Sequence, residues 1–565
     1  MNRVDSDTGP APAANRARLI IAAVALAGPV LFGGLSLYMG QDANWDLKNY
    51  HYYNAYAFLE GRLHVDFAPA QIQSFVNPIL DVPFYWLLRH LSPRVYGFLV
   101  GALHGLNFSL VLLIAAQLVA DISGPLLIIS LALAGAWGAG FIGQLGTVHH
   151  DDTVALFFLA SLLTIIRSYR VQTKNDWKSF ATIAAAGMIL GLGVGLKYTM
   201  APYAIGIGAA LLLMSKERSW SWRRLLQPLY YAGGVAAGTL ATAGYWMTLL
   251  WTQFGNPIFP QFNNIFRSPL APAVAFADTR FRPAGFVESV FYPFIFAFHP
   301  QRISEIPFRD FRFAALAIAL VASVCARAVR TSGAHTADLA LTDRTIGVFF
   351  VIITVVAYVC WMAAFSIYRY LIPLELIAPL TLFALFDRLP LPVGSRRILI
   401  WVVMGFLVAA MRPQAEARQA WDDRFLGVQA PAIADPSHTL VLMAGTSPLS
   451  YVIPAFDPRV RFVRVEANWM LYPDGSAATD RSPLAYSARW PIGDDGPSLI
   501  QLLRKAIAEY DGRALVLFDS DEREHVATVM AAFGDRMHLA GCQPVRSKLD
   551  ADKLQLCPLE RQHEP

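Results

Sequence analysis

The sequence predicts a polytopic α-helical membrane protein of about eleven transmembrane helices with a soluble α/β domain at its C-terminal end. Three observations predict it. Of the 565 residues, 55% are hydrophobic and only 15% are charged, against about 25% charged in a soluble domain. Apolar runs of about twenty residues, the length a helix needs to cross a bilayer, recur as far as residue 411. Beyond that point charge rises and the apolar runs shorten. The net charge of +5 is small for this length, and no basic stripe is present, so nucleic-acid binding is set aside.

Transmembrane helices are expected near 18–39, 94–119, 125–144, 153–169, 180–196, 198–214, 227–250, 311–329, 345–366, 371–387 and 396–411. The first is longer than a signal-peptide core and no clear small-residue cleavage site follows it, so it reads as a retained span. Segments 76–91 and 284–299 are interrupted by Pro, Asp, Arg or His and read as helices lying in the interface. Arg3, Arg16 and Arg18 precede the first span. Arg167, Arg170, Lys174 and Lys178 follow the fourth, and Lys216, Arg218, Arg223 and Arg224 the sixth. Arg327, Arg330 and Arg344 separate the eighth from the ninth, and Arg388, Arg396 and Arg397 the tenth from the eleventh. All fall on one side, which the positive-inside rule makes cytoplasmic.

The expected organisation is a membrane domain over 1–411, with outer loops 40–93 and 251–310, and an extracytoplasmic domain over 412–565. This places the N-terminus in the cytoplasm and the tail on the opposite side of the membrane. In the tail, "HTLVLMAG", "VRFVRVE" and "ALVLFD" read as strands, while "SLIQLLRKAIAEY" and "REHVATVMAAF" read as amphipathic helices. Cys542 and Cys557 lie there, where an oxidising compartment allows a disulfide; two separate thiols are the alternative. Cys325 and Cys360 fall within spans as packing residues.

The unusual polar chemistry gathers on the outer side. "NWDLKNYHYYNAYAFLEGR" (44–62) follows the first span, with Asp46, Tyr50, Ala57 and Gly61 in the pattern D-x3-Y-x6-A-x3-G. Asp46 and Tyr50 share a helix face. A carboxylate anchored at the bilayer surface suits a general base acting on a substrate hydroxyl; an amphipathic interfacial helix with tyrosines at headgroup level is the alternative. "QLGTVHHDDTVALFF" sets His149, His150, Asp151 and Asp152 in a short loop before the fourth span. Four such groups near lipid suggest a polar cavity. One aspartate is explained as a helix cap, the paired histidines are not. The same four groups are a donor set for a divalent cation such as Mg or Mn, although adjacent residues rarely all face one point. Lys197 and Tyr198 interrupt "GLGVGLKYTMAPY" at a turn between spans, and Arg369 and Tyr370 in "FSIYRYLIPLE" mark another. Lysine and arginine at such junctions snorkel or flank a span, and equally offer charge to a phosphate.

At these residues the sequence resembles the GT-C class of membrane glycosyltransferases, the group containing aminoarabinose transferases and protein O-mannosyltransferases. The resemblance lies in "WDLKNYHYYNAYAFLEGR", "NPILDVPFYWLLRHLS", "HDDTVALFFLASLL", "LGLGVGLKY" and "YRYLIP", and in the layout of residues 1–410. It implies a polyprenyl-phosphate-linked sugar donor, transfer with inversion to a glycan, lipid or protein acceptor, and Asp46 as base. Asp151 and Asp152 are the further catalytic candidates. Tyr50, His149, His150, Lys197, Tyr198, Arg369 and Tyr370 are the candidate substrate contacts. Many members carry a second acid directly after the first, where Leu47 stands here, leaving Asp42 as the candidate partner. The competing reading is a transporter or lipid-linked sugar flippase; no internal repeat supports it, and transporter sites lie at mid-membrane rather than at one face.

Overall fold

The computed structural model describes residues 12–121, 124–171, 177–214, 222–271, 273, 275–276, 278–329, 340–466, 499–550 and 553–561. The flanking residues Arg3, Lys174, Lys216, Arg218 and Arg330 lie outside them. The chain forms two compact units. The first holds residues up to Met39, Gly97–Thr242 and Phe281–Glu416; the second holds Gly40–Tyr96, Ala243–Arg280 and the chain from Ala417.

In chain order the helices begin with α1 (Pro12–Met39), α2 (Tyr52–Leu59), α3 (Asp81–His90), α4 (Pro93–Leu118), α5 (Pro125–Ala136) and α6 (Ala139–Gln144). Next come α7 (Asp151–Val171), α8 (Trp177–Leu196), α9 (Ala201–Leu213), α10 (Leu226–Phe254), α11 (Asn263–Phe266) and α12 (Phe286–Phe298). They end with α13 (Arg312–Val329), α14 (Arg344–Ala364), α15 (Ile372–Phe386), α16 (Val393–Ala410), α17 (Leu499–Ala508) and α18 (Arg523–Ala532). Helices occupy every expected position. Among the described residues, six stretches, in α1, α4, α8, α14, α15 with the turn before it, and α16, are long and apolar enough to cross a membrane. The helix α15 is buried along its whole length against α5, α7, α13, α14 and α16, which is why it is apolar all round.

The expected continuous span over 125–144 is broken into α5 and α6. Twelve residues of α5 rise only about 18 Å, short of a bilayer core. Arg312 donates to the carbonyls of Ala134 (2.7 Å) and Trp137 (2.6 Å) at the end of α5. Asp310 accepts from Ala139 N–H, and Glu375 from Gly140 and Phe141 N–H, at the start of α6. The backbone groups that a break exposes are thus satisfied from elsewhere in the unit, as burial demands. Gly138 is required at the break, because a Cβ there would lie 1.5 Å from Glu375 Oε1.

The second unit is built on a mixed sheet of β3 (Thr439–Met443), β4 (Arg461–Arg464), β5 (Arg513–Asp519), β6 (Asp535–Met537), β7 (Gln543–Val545) and β8 (Leu554–Arg561), beside a small ribbon of β1 (Gln41–Asp42) and β2 (Arg418–Gln419). Strands β4, β3 and β5 run parallel in that order, while β8 pairs antiparallel with β5, β6 and β7. The run "TLVLM" of β3 is buried throughout, as a central parallel strand should be. Leu440, Leu442, Val516 and Phe518 pack with Ile507 of α17 and Val526, Val529 and Met530 of α18. Cys542 and Cys557 are joined in a disulfide.

Candidate active site

In the helical unit three interhelical turns meet. The first turn of α7 carries Asp151, the turn after α8 carries Lys197, and the turn before α15 carries Arg369. Lys197 Nζ lies 2.5 Å from Asp151 Oδ1 and donates to the His149 carbonyl at 2.7 Å. Arg369 Nε stands 4.0 Å from Asp151 Oδ2, which also receives Gln144 Nε2 at 3.3 Å. The Tyr370 ring has Lys197 Nζ 5.4 Å and Arg369 Cζ 5.3 Å from its centroid, within reach of cation–π attraction to both. Tyr203 OH donates to the Tyr370 carbonyl and fixes that turn. Asp151 is buried, whereas Lys197 and Arg369 keep 15% and 22% of their side chains exposed.

Around this group the other residues of the 149–152 loop take separate partners. Asp152 Oδ2 lies 3.2 Å from His104 Nδ1, His104 Nε2 meets Thr153 Oγ1 at 3.1 Å, and Asn107 Nδ2 donates to the Asp152 carbonyl. His149 Nε2 faces Glu416 Oε2 at 3.6 Å, with Thr147 Oγ1 on its Nδ1. His150 occupies the left-handed region at φ 64°, an uncommon conformation for a residue with a side chain. Burial, with Lys197, His104 and His149 adding to it, holds the His150 imidazole well below its ordinary pKa and therefore neutral. The side chains of the loop thus spread over several partners. Tyr198 is half exposed, and its ring faces Phe365 at 6.2 Å rather than the cations.

Asp46 and Tyr50 belong to the second unit. Asp46 is buried and precedes a π-helical turn, Leu47–His51, in which Tyr52 N–H donates to the Leu47 carbonyl. Tyr50 OH donates to Asp46 Oδ2 at 3.4 Å, the pairing their spacing predicts. Asp42 Oδ1 is engaged by Asn44 N–H (3.0 Å) and Asn44 Nδ2 (2.6 Å), and Asn44 Oδ1 caps the turn at Leu47 N–H. His51 Nδ1 lies 2.6 Å from Asp81 Oδ1 at the start of α3. Asp66 receives a bidentate Arg62 (2.8 and 2.5 Å), Tyr53 OH (2.9 Å) and Phe462 N–H (2.9 Å). Burial keeps its carboxyl above the ordinary range against the pull of Arg62.

His104, Gln144, Glu416, Asp66 and Asp81 were not singled out by sequence reasoning. A histidine in the middle of a membrane-length run was a readable signal. Glu416 carries no local pattern.

No protein-family model matches the sequence, and no curated protein matches it. Among solved structures, the apo form of ArnT from Cupriavidus metallidurans matches with a TM-score of 0.50 at 14% identity, over 97% of this chain and 98% of that one. The chain has the GT-C fold. The same transferase bound to undecaprenyl phosphate matches at a TM-score of 0.47 and 13% identity, over 96% of this chain and 97% of that one. The apo oligosaccharyltransferase of Archaeoglobus fulgidus matches at 0.46 and 10% identity, over 92% of this chain and 71% of its own.

Proposed function

We propose that the chain is an inner-membrane glycosyltransferase that moves a sugar from a polyprenyl-phosphate donor to a glycan, lipid or protein acceptor outside the cytoplasm. The observation that carries this reading is the Lys197–Asp151–Arg369 group. Two cations share one carboxylate, leaving a net positive charge among the three at partly exposed side chains, the arrangement a phosphate oxyanion needs. In the reaction the acceptor oxygen attacks the anomeric carbon, the bond from that carbon to the phosphate oxygen breaks, and the phosphate leaves with the electron pair. Lys197 and Arg369 stabilise that leaving charge. Asp46 takes the acceptor proton, an assignment supported by its motif and its hydrogen-bonded turn. Backside attack inverts the anomeric configuration.

Deletion of the gene should remove one mass increment from envelope glycolipids or glycans, and plasmid-borne wild type should restore it. Asp46→Asn should leave the increment absent, a loss of about 10³-fold or more, with the protein present at wild-type level. Restoration by Asp46→Asn would remove the base assignment.

A further inference from the structure

We propose that the C-terminal segment, through Ser450 and Asp550, is a positioning element for Asp46, holding the widened turn that sets the carboxylate's direction. The inference rests on the reading of Asp46 as the base. A π turn is an α-helix with one residue inserted. Because Tyr52 N–H goes to the Leu47 carbonyl, the Lys48 carbonyl lacks the partner an α turn would give it. Ser450 supplies a donor there: its Oγ hydrogen-bonds to the Asn49 carbonyl and lies 3.4 Å from the Lys48 carbonyl. Lys48 Nζ pairs with Asp550 Oδ1 at 2.6 Å, and Asp550 is held in turn by Tyr451 OH, which also meets Ser547 Oγ at 2.7 Å.

The other flank of Asp46 is tied to the same segment. Gln41 and Asp42 pair with Gln419 and Arg418, and Ala43 N–H donates to the Ala417 carbonyl at 3.0 Å. Gln41 Nε2 donates to the Phe425 carbonyl at 2.7 Å. These ties converge on residues 41–49, either side of one carboxylate. If the turn relaxed to α-helix, the residues ahead of it would rotate by about 100°, carrying Asp46 to another face. Buried backbone groups need partners wherever they lie. What singles out Ser450 is that its hydroxyl bonds the Asn49 carbonyl inside the turn and lies within 3.4 Å of the Lys48 carbonyl, whose α-type partner Tyr52 N–H goes to Leu47 instead.

The test uses the full-length protein with Ser450→Ala and Asp550→Asn, and the conservative Ser450→Thr and Lys48→Arg as controls. Three quantities are read: the glycolipid or glycan mass increment in gene-deleted cells, binding of undecaprenyl phosphate in detergent, and hydrogen exchange of the amides of residues 47–52. Ser450→Ala and Asp550→Asn should lower the increment about 10²-fold, the cost of misplacing a reacting group by about 1 Å. Exchange over 47–52 should rise about 10-fold. Undecaprenyl phosphate affinity should stay within about two-fold, and the conservative variants should behave as wild type. A wild-type increment in both disrupting variants overturns the proposal, whether or not exchange rises. Wild-type product from Asp46→Asn would remove the base assignment and with it the expected loss of product, while exchange over 47–52 would still report separately whether Ser450 and Asp550 hold the turn.

Discussion

Two buried aspartates meet their basic partners in different ways, and the difference separates structure from chemistry. In the second unit Asp66 is saturated: Arg62 binds it by two nitrogens, Tyr53 and the Phe462 amide complete it, and Arg62 spends further donors on the Pro458 and Val460 carbonyls. Both side chains are shut away from solvent. In the helical unit Asp151 holds Lys197 closely and Arg369 at 4.0 Å, and both cations remain partly exposed. A pair that uses its hydrogen-bonding capacity internally fixes chain segments; cations that share one acid at a surface keep charge for a ligand.

The largest effect is expected at Arg62. Arg62→Met leaves a buried carboxylate without its cation and should destabilise the second unit by about 3–5 kcal/mol, read as a lowered thermal midpoint with loss of the sheet's circular-dichroism signal. A wild-type midpoint would place the Arg62 pair with the dispensable surface bridges. The double change Asp151→Asn with Lys197→Met removes both partners at once. It should cost no more than about 1 kcal/mol, because the one charge left without the acid, Arg369, keeps 22% of its side chain exposed to solvent. A cost equal to that of Arg62→Met would make Asp151–Lys197 a structural pair like the other.

His150 sharpens the contrast by a smaller amount. Its folded pKa lies below the unfolded value near 6.5, so the unfolded chain binds more protons between the two. Stability from this group is complete above about pH 6.5 and is lost as pH falls through that value toward the folded pKa. Thermal scans from pH 7.5 down to 5 should therefore show a falling midpoint, and His150→Gln should flatten that fall. An unchanged pH slope in His150→Gln would mean that other groups carry it.

The features legible in the sequence were those whose cause is local. The apolar runs placed the helices, and "TLVLM", "RFVR" and "RALVLFD" formed β3, β4 and β5 where strand composition put them. Lys197 and Arg369 stood out because charge at an apolar turn needs a reason, and Asp151 because it sits among ionisable neighbours. The illegible features have distant causes. The break between α5 and α6 depends on Asp310, Arg312 and Glu375, more than 170 residues from Ala139 for the nearest of them. Strands β6 and β7 span three residues each, and Pro544 and Pro558 sit in β7 and β8, where composition argues against a strand. The grouping of residues 40–96 and 243–280 with the tail follows from proximity between residues far apart in the chain, which no periodicity encodes.

The most direct measurement is the relative affinity of the purified protein for undecaprenyl phosphate and for undecaprenol, which differ only in the phosphate. Wild type should prefer the phosphorylated lipid by about 100-fold, roughly 2.7 kcal/mol, and Lys197→Met/Arg369→Met should bind the two lipids alike. Equal affinity of the wild-type protein for both lipids would contradict the account.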